Sequence, residues 1–248
     1  GFTTTGAGGT VTLSSGTITV SGDVGLQSAS NKGSTNLLIL GGGKLSISGT
    51  LSGQTNTGAL QAVLWTGGVL SPSVVNMTNL SPSTNPYTNG TLSNGGGTFA
   101  PGDAGYAGLS TIYGNYAQGT GTLQIEAAGT NPATSFQHAS GAYHDRVFIS
   151  GSAALGGSLS VSLLPGYTPA ASDTLTVMTA GSIIGSFTNV STGKSLSVDG
   201  TNGFLVTMTA TALQLSSYHR IGAPVITIQP SGISTVVGGS ATLTLAAT

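Results

Sequence analysis

Six carboxylates (Asp23, Asp103, Glu126, Asp145, Asp173 and Asp199), three histidines and no cysteine make up the usual acid–base and metal-binding repertoire of this 248-residue chain. Sugar hydrolysis would need two carboxylates facing each other across a groove, and polysaccharide lysis would need a base with cationic help for a sugar acid. No two acids stand in the pattern of an EF-hand loop, and no Asp-Gly repeat is present that would cradle calcium. His144-Asp145-Arg146 is the one local gathering of three ionisable side chains. In a strand His144 and Arg146 share a face while Asp145 opposes them, so the three do not converge on one centre. Asp145 reads instead as the end of a loop that orders the entry into Val147-Phe148. The expectation is therefore a chain with no catalytic residue, no metal ligand and no cofactor site.

Aromatic residues offer a second kind of chemistry. Tyr106, Tyr113 and Tyr116 fall close together, and phenol rings can lie flat on a sugar while their hydroxyls bind polar groups. The alternative is that they stack between layers of the protein or cover loop backbone. Trp65, the only tryptophan, is expected as an inner or loop-covering anchor.

Composition narrows the partners. Only 4% of residues are charged and the formal net charge is -1. Lys32, Lys44, Arg146, Lys194 and Arg220 are scattered, whereas capture of a phosphate backbone needs clustered cations, so nucleic acid is not expected as a partner. Low charge here does not mean disorder, because Val, Ile and Thr alternate through the chain as they do in half-buried strands. No apolar run of roughly 18 residues is present, so no membrane-spanning helix is expected. A transmembrane barrel would call for aromatic girdles and strands of about 10 residues, which one tryptophan and irregular spacing do not suit. The chain starts at Gly1 rather than Met, which fits a processed or trimmed form.

The elements that must carry these residues are read from a returning phrase. Gly42-Gly43-Lys44-Leu45, Gly67-Gly68-Val69-Leu70, Gly96-Gly97-Thr98-Phe99 and Gly156-Gly157-Ser158-Leu159 each open an alternating stretch, with Gly121-Thr122-Leu123 as a shorter version. Their apolar anchors Leu45, Leu70, Phe99, Leu123 and Leu159 are 25, 29, 24 and 36 residues apart. A period in the twenties belongs to a solenoid whose repeats bury their apolar sides only against neighbours. A sandwich would place turns every 8 to 12 residues without the larger repeat. The fold class is all-β, a right-handed parallel β-helix with irregular loops over 71–91 and 129–141. The prolines Pro72, Pro82 and Pro86 mark the first loop, since each removes a ladder donor. The strands around Asp199 and Asn202-Gly203 break the period and can pair antiparallel as a C-terminal cap.

Two domains are expected: a β-helix over 1–220, then a linker and the first two strands of an incomplete Ig-like module over 221–248. The two strands are Val225 to Pro230 and Ser234 to Leu245.

Over 95–190 the phrases occur in a specific order. They include Gly95-Gly96-Gly97-Thr98-Phe99-Ala100-Pro101-Gly102-Asp103, Tyr113-Gly114-Asn115-Tyr116, Gly121-Thr122-Leu123-Gln124-Ile125-Glu126 and His144-Asp145-Arg146-Val147-Phe148-Ile149. Ala153-Ala154-Leu155-Gly156-Gly157-Ser158-Leu159, Pro165-Gly166-Tyr167-Thr168-Pro169 and Asp173-Thr174-Leu175-Thr176-Val177-Met178 follow. This stretch resembles the passenger regions of bacterial autotransporter-type surface proteins, and in particular the autotransporter-associated β-strand repeat. The segment from Pro224 to Thr248 is similar to the opening of a bacterial immunoglobulin-like domain. The resemblance implies an exported β-helix, extracellular or on a bacterial cell surface, and implies no catalytic residues. The expected function is a non-catalytic structural or adhesive module of an adhesin, fibre or filament, with self-association or neighbouring surface-protein modules as partners. A polysaccharide-binding module for surface glycans, and a polysaccharide lyase or hydrolase, are the alternatives.

Overall fold

Alternating Val, Leu, Ile and Thr, punctuated by paired glycines, fold into three stacked ladders of short parallel strands. The computed structural model describes residues 2–4, 9–26, 35–53, 60–76, 90–138, 141–222, 226–228, 232, 236–240, 242 and 246–247. These residues contain strands and no α-helix. The chain is a parallel β-solenoid of about 5 turns.

Each turn contributes a strand, or part of one, to each of three faces. Gly9–Leu13 starts the first face and pairs with Thr35–Gly53, which pairs onward with Leu60–Asn76. Thr91–Asn94, Asn115–Gln118, Arg146–Leu155 and Thr174–Gly185 continue it. The second face begins at Thr17–Val20 and runs through the middles of the two long strands to Thr98–Phe99, Thr122–Ala127 and Ser158–Leu163. The third passes through Val24–Leu26, the ends of the same long strands, Leu109–Tyr113 and Arg146–Leu155.

The repeat anchors are one column of the second face. Leu45 is paired with Leu70, Leu70 with Phe99, Phe99 with Leu123 and Leu123 with Leu159. All five are at most 3% exposed, and burying such a side chain contributes roughly 1.5–3 kcal/mol. The unequal sequence spacings are absorbed between the strands, so the register survives them.

Corners explain the glycines. Gly43, Gly68 and Gly157, the second glycine in three of the four phrases, have positive φ, the left-handed region where a Cβ is strained. At Gly68 a Cβ would also stand 2.5 Å from the carbonyl oxygen of Gly42 in the turn before. Gly97 serves differently, because it lies against Trp65.

The loop expected from residue 71 begins later. Residues 71–76 complete the strand Leu60–Asn76, and Pro72 is paired with Ile47. Proline is tolerated because Pro72 falls in a gap of the ladder toward the following turn, between the pair Leu70 with Phe99 and the pair Val74 with Thr111. Residues 77–89 lie outside the described residues. The loop over 129–141 is partly ordered by a bridge between Ala107 and His138 and by short pairings of Asn131–Pro132 with Tyr143–His144.

At the C-terminal end the ladder changes sense, as the broken period suggested. Thr174–Gly185 pairs antiparallel with Ala212–Arg220, which pairs antiparallel with Asn202–Met208, and that strand with Lys194–Ser197. Antiparallel pairing covers the edge that a further parallel turn would otherwise extend. Beyond it, Ile226–Ile228 pairs with Ala246–Ala247. Within the second strand expected there, the amide of Gly239 instead donates to the carbonyl of Val236 across a turn at Gly238.

Candidate functional site

The densest gathering of ionisable groups lies where the chain leaves the second face after Phe99 and folds back over it. Ser46 and Ser71 sit between the inward residues of that face, yet they are 2% and 0% exposed, so their outer side is covered. The cover is the loop over 100–108. Gly102 and Asp103 both have positive φ, and this pair of left-handed residues bends the loop so that Asp103 meets the sheet. Asp103 forms a salt bridge with Lys44, and its Oδ2 accepts from the Ser46 hydroxyl at 3.1 Å. Its Oδ1 accepts the Ala104 amide at 2.8 Å.

Two deeper carboxylates hold the rest of the loop. Glu126 Oε2 accepts the amide of Gly105, and Asp145 accepts the amides of Gly108 and Glu126, one on each oxygen, all at 2.7 Å. The Asp145 amide donates to the Glu126 carbonyl, and the Arg146 amide to the Gly108 carbonyl. Loop, second face and third face are thus joined through one network. A hydrogen bond to a charged group contributes about 1.5–3 kcal/mol, and an orphaned buried partner costs a similar amount.

Burial dominates the electrostatics. It pushes the Asp145 carboxyl well above the usual range, opposed by the two amides it accepts, with the charge of Glu126 adding to the rise. Burial also raises Glu126, against the pull of the Gly105 and Tyr106 amides; Asp103 pushes it further up and Lys44 draws it back. His144 is lowered by burial, while the carbonyls of Thr176 and Gly129 near its two ring nitrogens work the other way.

The trio His144, Asp145 and Arg146 does not form one centre. Asp145 turns to the loop amides, and His144 is 1% exposed between two carbonyls. Asp145 orders the entry into Val147, which is the structural role read from its position. The other acids behave alike: Asp23 accepts the amide of Thr50, Asp173 that of Ala170, and Asp199 those of Thr201 and Asn202. Every carboxylate in the chain accepts at least one backbone amide. Among the described residues no group of three His, Asp or Glu side chains is placed to hold a metal ion.

The tyrosines separate. Tyr116 is buried in the core, its ring 5.5 Å from that of Phe99, and its hydroxyl donates to Gln118 at 3.1 Å. Trp65 is likewise internal, packed edge-on against Phe99 at 6.1 Å. Tyr106 and Tyr113 are each 45% exposed. Phe148, which sequence reasoning passed over as a strand residue, is exposed on the third face, one turn from Tyr113; its register partner is Thr111.

Lys44 and Glu126 were also missed as a pair with Asp103. The sequence places the three far apart, and Lys44 reads there only as the variable position of a corner phrase. Asn94 and Gln118 form a further unexpected pair. They are register partners on the first face, and each turns its amide to the glycine corner that follows, Asn94 to Gly96 and Gly97 and Gln118 to Gly121. A polar residue immediately before each glycine corner was the available signal.

No family model matches the chain, and neither a curated protein nor a solved structure matches it.

Proposed function

We propose that this chain is a non-catalytic structural or adhesive module of a bacterial surface protein or fibre, working outside the cell. The observation that carries the reading is the unbroken column from Leu45 to Leu159, reinforced from outside by the loop bound at Asp103, Glu126 and Asp145. Stacked ladders strapped on their outer side make a stiff spacer, and a stiff spacer is what presentation away from a cell requires. The ordered resemblance over 95–190 and the near-absence of charge support the same setting. Weak long-range repulsion also favours self-association. Among the described residues Gly9–Leu13 and Thr17–Val20 pair only with the turn that follows them, an arrangement suited to strand addition.

Electron microscopy of the native surface material tests the rod and filament role; isolated short rods alone would count against the filament. A glycan array run beside an assay for oligosaccharide release tests the module class, and repeatable cleavage of a polysaccharide would sink the non-catalytic reading. Glycan binding without product would favour the alternative of a polysaccharide-binding module, for which Tyr113 and Phe148 on one outer face are the supporting observation.

A further inference from the structure

Lys44 and Asp103 form the single salt bridge among the described residues, and their side chains are only 26% and 19% exposed. The Glu126 carboxylate is fixed beside them by the Gly105 amide, two residues beyond Asp103. Ser46 Oγ donates to one oxygen of Asp103 and the Ala104 amide to the other. A lysine amine, a carboxyl whose two oxygens both receive hydrogen bonds, and a second carboxyl at their side are the parts needed to make an amide.

We propose that Lys44 Nζ and Asp103 Cγ condense into an intramolecular isopeptide bond, with Glu126 relaying the proton. The ammonium first gives up a proton through Glu126, so that the Nζ lone pair can attack Cγ. The N–C bond forms, and the negative charge that develops is met on one oxygen by the Ser46 hydroxyl and on the other by the Ala104 amide, donors already in place. The Cγ–Oδ bond then breaks. The two protons lost from nitrogen leave on that oxygen as water, so ammonium plus carboxylate become amide plus water, with no oxidant or other reactant. Burial favours the protonated form of Glu126, which suits a group that must hand a proton to the departing oxygen.

The bond would staple the corner of one turn to the loop that leaves two turns later, converting a polar strap into a covalent one. This inference does not depend on the surface role, since the condensation needs only the folded chain.

Intact-mass measurement on the folded full chain decides it. The expected mass is one water below that of the sequence, and protease digestion is expected to release a branched peptide joining Lys44 to Asp103. Lys44→Met and Asp103→Ala are expected to show the full sequence mass. Asp103→Asn is expected to close the same bond with loss of ammonia. Glu126→Gln, refolded from denaturant and sampled over time, is expected to close it roughly 100-fold more slowly or not at all. A folded wild-type chain with the full sequence mass and a free Lys44 amine would overturn the proposal. Closure of Glu126→Gln at the wild-type rate would overturn the role given to Glu126.

Discussion

The Cα of Gly97 lies against the indole of Trp65, so close that a Cβ there would stand 1.9 Å from Nε1 and 2.7 Å from Cδ1. Trp65 Nε1 has no hydrogen-bond partner, so the ring is held by packing alone, wedged between the corner glycine and Phe99. Gly97→Ala is expected to destabilise the fold by about 1–3 kcal/mol or more, the range for overpacking a filled core. Urea unfolding followed by far-UV circular dichroism measures this in every variant, including those without the tryptophan. In a double-mutant cycle Trp65→Leu should recover part of the loss at Gly97→Ala, because neighbours in contact are not additive. Strictly additive effects would show that the two residues do not constrain one another.

Asp145 and Glu126 look alike in sequence but differ in how their oxygens are used. Both oxygens of Asp145 accept backbone amides, so an asparagine there would set its own NH2 against an N–H donor. Asp145→Asn is expected to cost about 1–3 kcal/mol through that orphaned contact. Glu126 uses Oε2 for Gly105, and a glutamine oxygen can take the same place. Since burial opposes the Glu126 charge, Glu126→Gln in a Lys44→Met background, where no crosslink can close, should cost less than about 1 kcal/mol at neutral pH. Chemical denaturation of the two variants compares them directly, and equal losses would refute the distinction.

That contrast also shows which parts of the molecule the sequence disclosed. The anchors from Leu45 to Leu159 were legible because one column of a solenoid repeats in the chain, and their registers are continuous despite gaps of 24 to 36 residues. Glycine corners were legible for the same reason. Pro72 misled because proline forbids a ladder bond only where a neighbour is present to accept it, and that depends on where the next turn departs. The meeting of Lys44, Asp103 and Glu126 was hidden, since it depends on the left-handed bend at Gly102 and Asp103, which brings an irregular loop over an outer face. Periodicity reports the inside of a solenoid, and the loops laid over its outside have none.

His144 gives the fold a pH dependence of opposite sign to that of the buried acids. Its folded pKa is lowered by burial, so its contribution is present above the unfolded value of about 6.5 and is lost as pH falls from there through the folded value. Asp145 and Glu126 are raised. Their contributions are fully present below the unfolded values of about 4, and they are lost as pH rises through the folded ones. Acidification from pH 7.5 therefore subtracts through His144 while the two acids add. In His144→Gln the first effect is gone, so the change in unfolding free energy between about pH 7.5 and 5 should be more favourable to the acid side than in the wild type, by at most about 1.4 kcal/mol per pH unit. Urea titrations at both pH values measure it; an unchanged pH profile would remove His144 from the account.

Tyr113 and Tyr116 are three residues apart and face opposite fates, one on the outer surface and one 1% exposed in the core. Tyr116→Ala removes a ring packed on Phe99 and is expected to cost about 3–5 kcal/mol. Tyr113→Ala and Phe148→Ala remove side chains that are 45% and 37% exposed, and each should change stability by little more than about 0.5 kcal/mol. Their effect is expected on recognition instead. If the third face binds neutral glycans, the rings supply its flat contacts, and the two substitutions together should lower retention on a glycan array while the circular dichroism spectrum stays that of the wild type. A doubly substituted chain that keeps its full glycan binding would show that any sugar site lies elsewhere; loss of its β spectrum would show that the face is part of the structural core after all.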